Sequence, residues 1–214
     1  MGAWDVMSSH YIGRNLPPPG LSSFTKIRLG WIAPGQVILV KPGDTRGAFL
    51  SPLDRGGQTL AIKIPLAWGE YYLVENRQQT GFDRIQPDSG LLVVRVKPQA
   101  QEGSGTATIM DADPGSPNFS HATFRSDLEK RGIFEDKENN IAVIPLWTLG
   151  ESQGVLVTTL EKSADALKAT RAILDARKRS AGADGKNKEA MAACLDAFGN
   201  YDFKKSHELA RQVK

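Results

Sequence analysis

Residues that build disulfide scaffolds and metal centres are scarce in this chain. In 214 residues there is one cysteine, Cys194, and three histidines, His10, His121 and His207. A single thiol excludes an intrachain disulfide framework. Cys194 falls in a helical pattern, where a small core residue is the simple reading. No two histidines stand four residues apart, which excludes two imidazoles one helical turn apart holding zinc on one helix face. His207 is followed by Glu208, but position 211 is Arg211, so a His-Glu-x-x-His frame fails there too. No apolar run approaches the ~20 residues of a transmembrane helix. No charged-then-apolar signal segment opens the chain, and Val6 breaks the N-myristoylation pattern after Gly2. An excess of one charge is also lacking. Lys plus Arg number 27 against 24 Asp plus Glu. The net +3 is too weak to license nucleic-acid or membrane-surface binding by itself.

What is present is ordinary globular material, 40% apolar and 24% charged, enough for a packed core. The length fits one large domain, or a medium domain with an appendage. The organising stretch is 69–96. Two short apolar runs, Tyr71-Tyr72-Leu73-Val74 and Leu91-Leu92-Val93-Val94, flank a polar insert. Their length and their β-branched and aromatic content predict strands. The insert is too long for a two-residue turn and predicts an ordered loop with Phe82 and Ile85 tucked inward. Its end, Pro87-Asp88-Ser89-Gly90, is a turn in which Pro fixes φ, Asp and Ser bond their own backbone, and Gly takes positive φ.

The segment YYLVENRQQTGFDRIQPDSGLLVVRV resembles the pattern that follows the catalytic core in the immune inhibitor A family of secreted zinc metalloproteases. Gly2 to Ser9 is similar to the segment after that family's zinc-binding helix, and Phe24-Thr25-Lys26 with Leu29-Gly30-Trp31-Ile32 to its next landmark. The three landmarks occur in the family's order and cover roughly residues 2–160. The resemblance implies a zinc peptidase ancestry and a secreted parent. Zinc is expected only for a complete family member, because the His-Glu-x-x-His helix would lie upstream of Met1. This chain alone is therefore expected to be inactive as a protease, and either shortened at its N-terminus or one half of a split gene.

In chain order, residues 1–35 read as the remnant of the end of a metalloprotease catalytic domain. Trp4, Val6 and Met7 form a small apolar cluster in need of a partner surface. Met7 resembles the methionine that underlies the metal in metzincin-type sites, and Tyr11 could reach a metal-bound substrate oxygen. Without a zinc helix both read as packing residues, and His10 as a solvated loop histidine. Asn15 to Gly20, with three prolines, predicts an extended loop. Ser22 or Ser23 then caps a short helix through Arg28, ended by Gly30. Residues 36–160 predict an antiparallel β domain. Its strands are Val37–Val40, Gln58–Ile64, 71–76, 91–96, 107–110, 141–146 and 155–159. In Gln58–Ile64, Leu60, Ile62 and Ile64 alternate with Thr59, Ala61 and Lys63, as in a half-buried strand.

Two polar sites stand out in that domain. Asp111 to Asn118 has the oxygen density of a calcium loop, with Asp111 and Asp113 as ligands. An EF-hand is excluded because its twelfth position is Ala122, and a plain surface turn is favoured over calcium. Glu75 alternates with Val74, which predicts a less buried carboxylate paired with Arg77. We read this as a structural ion pair of modest value that pins the long loop. Asp83 and Arg84 lie beside it.

Residues 161–214 predict a helical hairpin or three-helix tail. Ala166, Leu167, Thr170, Ile173, Leu174 and Arg177 fall at helical spacings, and Ser163 is the expected cap. A second helix spans about 187–198 and a third segment runs to Val213. Ala197 to Phe203, followed by Leu209-Ala210, resembles a tetratricopeptide-like turn, but a single unit cannot bury its face as an array does. The tail is expected to dock on the sheet or on a partner. Arg177-Lys178-Arg179 reads as a solvated helix end that suits the dipole.

The fold class is thus α+β: an antiparallel β-sandwich-like domain preceded by a protease remnant and followed by a helical tail. Three functions compete. The first is a non-catalytic C-terminal region of an immune inhibitor A-like metallopeptidase, structural or substrate-positioning, attached to an upstream protease domain. The second is a complementing subunit whose zinc helix comes from a separate chain. An exposed cluster at Trp4 and Met7 would favour it. The third is a stand-alone β-sandwich protein-binding module, which requires residues 1–35 to pack on the chain's own sheet.

Overall fold

Apolar residues on both faces of the central strands dictate a layered structure. The computed structural model describes residues 1–8, 15–101, 103–180 and 185–213. In chain order the elements are α1 (Ser23–Arg28), β1 (Val37–Leu39), β2 (Arg46–Leu50), β3 (Ala61–Pro65), β4 (Tyr71–Arg77), β5 (Gly90–Val96), β6 (Ala107–Met110), β7 (Phe134–Asp136), β8 (Ile141–Leu149), β9 (Ser152–Thr158), α2 (Leu160–Arg179), α3 (Gly185–Gly199) and α4 (Phe203–Ala210). They form a five-stranded sheet, β1-β3-β4-β5-β6, and a four-stranded sheet, β2-β9-β8-β7. The protein is mixed α+β, with two sheets and a helical C-terminal part.

The sheets pack face to face. Ile62, Ile64, Tyr72, Val74, Leu91 and Val93 from the first meet Leu50, Ile141, Val143, Val155 and Val157 from the second. Period-2 alternation sends the intervening residues outward. On the five-stranded sheet Leu73, Leu92, Val94, Val96 and Ile109 form a second apolar surface, covered by Trp4 and flanked by Phe24 and Ile27 of α1. On the four-stranded sheet Ile144, Leu146 and Leu156 meet Ala166, Ala169 and Ile173 of α2, and the same cluster takes in Cys194, Phe198 and Phe203. Both sheets are therefore buried on both sides, which explains the unbroken run Leu91-Leu92-Val93-Val94.

Several expectations are corrected. The five-stranded sheet is not wholly antiparallel, because β1 and β3 pair in parallel with Val37 opposite Ala61. The chain between them crosses to the other sheet, lays down β2, and returns in the original direction. The alternating stretch at 58–64 becomes strand only from Ala61, and Ala61 is buried rather than facing solvent. The central pair is a continuous antiparallel ladder from Tyr71 opposite Val96 to Arg77 opposite Gly90. Phe82 points out, 68% exposed, while Asp83, Gln86 and Asp88 turn inward. Helix α2 begins one turn earlier than its expected cap. Thr159 is the N-cap residue, and Ser163 donates to the Leu160 carbonyl at 2.8 Å.

The tail docks on the chain's own sheet, with Trp147, Phe198 and Phe203 in successive edge-to-face contacts. Cys194 is buried there. Among the described residues no helix is long and apolar enough to cross a membrane.

Candidate functional site

The outward face of β4 carries Leu73, Glu75 and Arg77 in alternation, beneath the N-terminal segment. Arg77 is fully buried, as is Glu75, so the expectation of a less buried Glu75 carboxylate is corrected. Its face is not solvent-facing because α1 lies over it. The Arg77 guanidinium donates from Nη1 to Glu75 Oε1 at 2.7 Å and from Nη2 to Asp83 Oδ1 at 2.9 Å. Its Nε lies 2.9 Å from Asp83 Oδ2 and also donates to Gln86 Oε1 at 3.1 Å. Gln86 Nε2 donates to Asp83 Oδ1 at 2.8 Å, which closes the ring. The insert that looked like a decorated loop is thus folded around one cation. Burial pushes the Asp83 carboxyl up to about 6, against the opposing pull of Arg77.

The N-terminal segment is bonded into this centre. Glu75 Oε2 accepts from the Ser23 backbone N–H at 2.7 Å, in the first turn of α1. Ser22 caps α1, its hydroxyl accepting weakly from Thr25 N at 3.4 Å. The Ser22 hydroxyl also donates to Asp5, whose carboxylate further accepts from Ser22 N at 3.0 Å, Thr25 Oγ1 at 2.8 Å and Met7 N at 2.8 Å. Lys26 donates to the Leu53 carbonyl at 2.6 Å, and burial lowers its pKa. Gly20 passes so close to Asp83 that a Cβ there would lie 2.3 Å from Asp83 Oδ1. The backbone approach itself demands glycine.

The remaining predicted site residues do not join this centre. Trp4 is buried against the chain's own sheet, whereas Val6 and Met7 are 39% and 75% exposed. The expected three-residue apolar cluster therefore does not form. Tyr11 and His10 lie outside the described residues. Asp111 Oδ1 accepts from the Asp113 N–H at 3.0 Å, and Asp113 lies 3.5 Å from His121 Nδ1, in a loop that bonds to itself. Among the described residues no group of three or more His, Cys, Asp or Glu side chains is placed to hold a metal ion.

Two further features depend on contacts between residues far apart in the sequence. Asp88 accepts from Thr123 Oγ1 at 2.6 Å, Arg125 Nη1 at 3.2 Å and the Ser89 N–H at 2.8 Å, and also from Arg131. Burial opposes its charge, but these donors outweigh it and hold the carboxyl below its ordinary value. Beside this knot opens a cleft of about 620 Å³, lined by Gln78, Arg125, Trp147, Gln153, Arg177 and Lys178 among others. Arg177 lies over the Trp147 ring, 5.6 Å from its centroid. Several separate segments between Gln78 and Lys178 contribute to this wall, so no local motif could reveal it. The Arg177-Lys178-Arg179 run was the one available signal, and in it Lys178 and Arg179 are exposed while Arg177 is half-buried.

Chemically the buried centre is closed. A catalytic carboxylate must reach its substrate, whereas Glu75 and Asp83 are inaccessible and already bonded to Arg77. Cys194 is no better placed, since burial raises its pKa and it contacts the Ser206 carbonyl at 3.2 Å. The chain matches no protein-family model, no curated protein and no solved structure in the comparisons made.

Proposed function

We propose that the chain is a non-catalytic module of the immune inhibitor A-like metallopeptidase type, serving a structural or substrate-positioning role beside a zinc-bearing protease domain. The observation that carries this reading is the convergence of its landmarks. Asp5, Ser22-Ser23, Glu75, Arg77 and Asp83 are far apart in the chain yet share one buried hydrogen-bonded centre. The ionised groups of that centre are committed to holding the N-terminal segment and the 78–89 insert on the sheet, which is scaffold work rather than turnover.

The test is to recover the endogenous polypeptide, measure its intact mass, map its peptides and assay it by zymography with and without a zinc chelator. The reading expects a His-Glu-x-x-His peptide in the same or a co-purifying chain, chelator-sensitive proteolysis by that assembly, and none by residues 1–214 alone. Proteolysis by the isolated chain overturns it, as does an endogenous protein with no zinc-helix peptide in any associated chain.

A stand-alone protein-binding module is the second reading. It is favoured by Trp4, which is buried against Leu73, Leu92 and Val94 of its own sheet. The same burial removes the feature that would point to a complementing subunit, an exposed Trp4–Met7 cluster.

A further inference from the structure

The charge of this protein is unevenly placed. Residues 161–214 hold 12 Lys and Arg against 8 Asp and Glu, whereas the rest of the chain holds 15 against 16. The small net positive charge therefore resides in the helical tail, and part of it is concentrated in one groove. Helix α2 places Lys168, Arg171, Asp175 and Arg179 at spacings of three and four residues, along one face. Helix α4 places His207 and Arg211 four residues apart across from them. These six side chains and Ala172 line a groove of about 330 Å³. Four permanent cations stand against one carboxylate, so with His207 neutral the groove carries a formal charge of +3.

Internal partners do little to offset this charge. Arg179 is fixed by neutral groups, donating from Nε to the Val213 carbonyl and from Nη2 to the Ala210 carbonyl, both at 3.2 Å. That positions the guanidinium without neutralising it. Among the described residues Arg171 pairs with the 86% exposed Glu129 carboxylate, at 3.8 Å, and Asp175 is also 3.8 Å from Lys178. Such contacts are worth little in water. A groove of like charges held on two packed helices is repulsive until an anion enters it, and guanidinium forks suit phosphate oxygens.

We propose that the α2–α4 groove is a binding site for a diphosphate group, whether in free pyrophosphate or in the phosphate chain of a nucleotide. Pyrophosphate carries a charge of about −3 near neutral pH, which matches the groove, whereas a monophosphate leaves cations unmatched. Arg171, Arg211 and Arg179 supply the forks, and Lys168 a point charge.

The test is calorimetric titration of the full chain at low salt with pyrophosphate, inorganic phosphate, ADP, and a hexaglutamate peptide of higher charge. The expected result is saturable 1:1 binding of pyrophosphate, tighter than phosphate and weakened by added salt. Binding should fall about tenfold or more in Arg171→Gln/Arg211→Gln. It should persist in Lys204→Gln/Lys205→Gln, which removes two exposed cations of α4 that do not line the groove. Circular dichroism checks that both variants are folded. If ADP binds as tightly as pyrophosphate, the ligand is a nucleotide's phosphate chain; if only pyrophosphate binds, it is the free ion. No saturable binding, or equal loss in the two double variants, overturns the site. Tighter binding of hexaglutamate than of pyrophosphate overturns the phosphate assignment in favour of an acidic protein partner.

Discussion

Replacing Arg77 with methionine removes the one cation bonded to both carboxylates of the buried centre. Arg77 makes a 2.7 Å contact with Glu75 and two contacts of 2.9 Å with Asp83, all without access to water. Methionine keeps much of the apolar stem, so the loss is chiefly electrostatic. Glu75 and Asp83 must then stay ionised without that partner or take up protons. Holding an ordinary glutamic acid neutral at pH 7 costs about 4 kcal/mol. This falls within the ~3–5 kcal/mol found when one partner of a buried ion pair is deleted. For a protein of this size such a loss corresponds to a fall in Tm of about 6–20 °C. The mechanism also has a pH signature. In the variant the Asp83 carboxyl, already raised by burial, loses the opposing pull of Arg77 and rises further, so folding takes up protons and stability falls as pH rises through its folded value. Urea unfolding of wild type and variant at pH 5 and pH 8 therefore should show the larger deficit at pH 8. Adding Glu75→Gln and Asp83→Asn should recover part of it. A deficit below about 1 kcal/mol at pH 8, or an equal deficit at both pH values, refutes the reasoning.

Asp83 alone gives the wild-type protein a testable slope. Its carboxyl is raised to about 6, so its stabilising contribution is greatest below its unfolded value and is lost as pH rises through about 6. The amplitude is about 2 kcal/mol between pH 4 and pH 7, and Asp83→Asn should flatten that part of the urea-unfolding profile. Asp88 has the opposite sign. Its lowered carboxyl stabilises the fold above about pH 4, and Asp88→Asn should cost about 1–3 kcal/mol at pH 7, with the gap narrowing as the solution is acidified. Gly20→Ala should destabilise by about 1–3 kcal/mol in thermal unfolding, because the added Cβ meets Asp83 Oδ1 at 2.3 Å. A neutral result at Gly20 would mean that the loop and the Asp83 side chain can separate without loss.

Much of the fold was legible where a period was strong. The short runs 71–74 and 91–94, rich in β-branched and aromatic residues, favoured strands over helices, and the tail read as helical segments with a Gly-Asn-Tyr-Asp break. Strand β2 was missed because Arg46-Gly47-Ala48-Phe49-Leu50 offers one fully buried side chain, Leu50. Its pairing with β9, from Arg46 opposite Val157 to Leu50 opposite Gln153, spans more than 100 residues. Strand β7 has three residues and is likewise held by a neighbouring strand rather than by its own pattern. The parallel β1–β3 pair was illegible for a related reason, since strand direction depends on the route of the connection and not on alternation.

The site was misread through a single assumption, that a charged residue alternating with an apolar one marks a solvated face. On β4 that face is sealed by another part of the same chain. Leu73, Glu75 and Arg77 share it, and Trp4 covers the apolar end while α1 presents its first-turn N–H to the carboxylate end. Glu75 is therefore the bolt of an interface between two segments, with one oxygen on Ser23 of the N-terminal segment and the other on Arg77, which in turn holds the 78–89 insert through Asp83. A helix as short as α1 has little stability of its own. It persists because Asp5 and Ser22 satisfy its first donors and Glu75 takes the next one. Folding of α1 is thus conditional on the sheet, and the closed state of the sheet's outer face is conditional on Trp4 and α1.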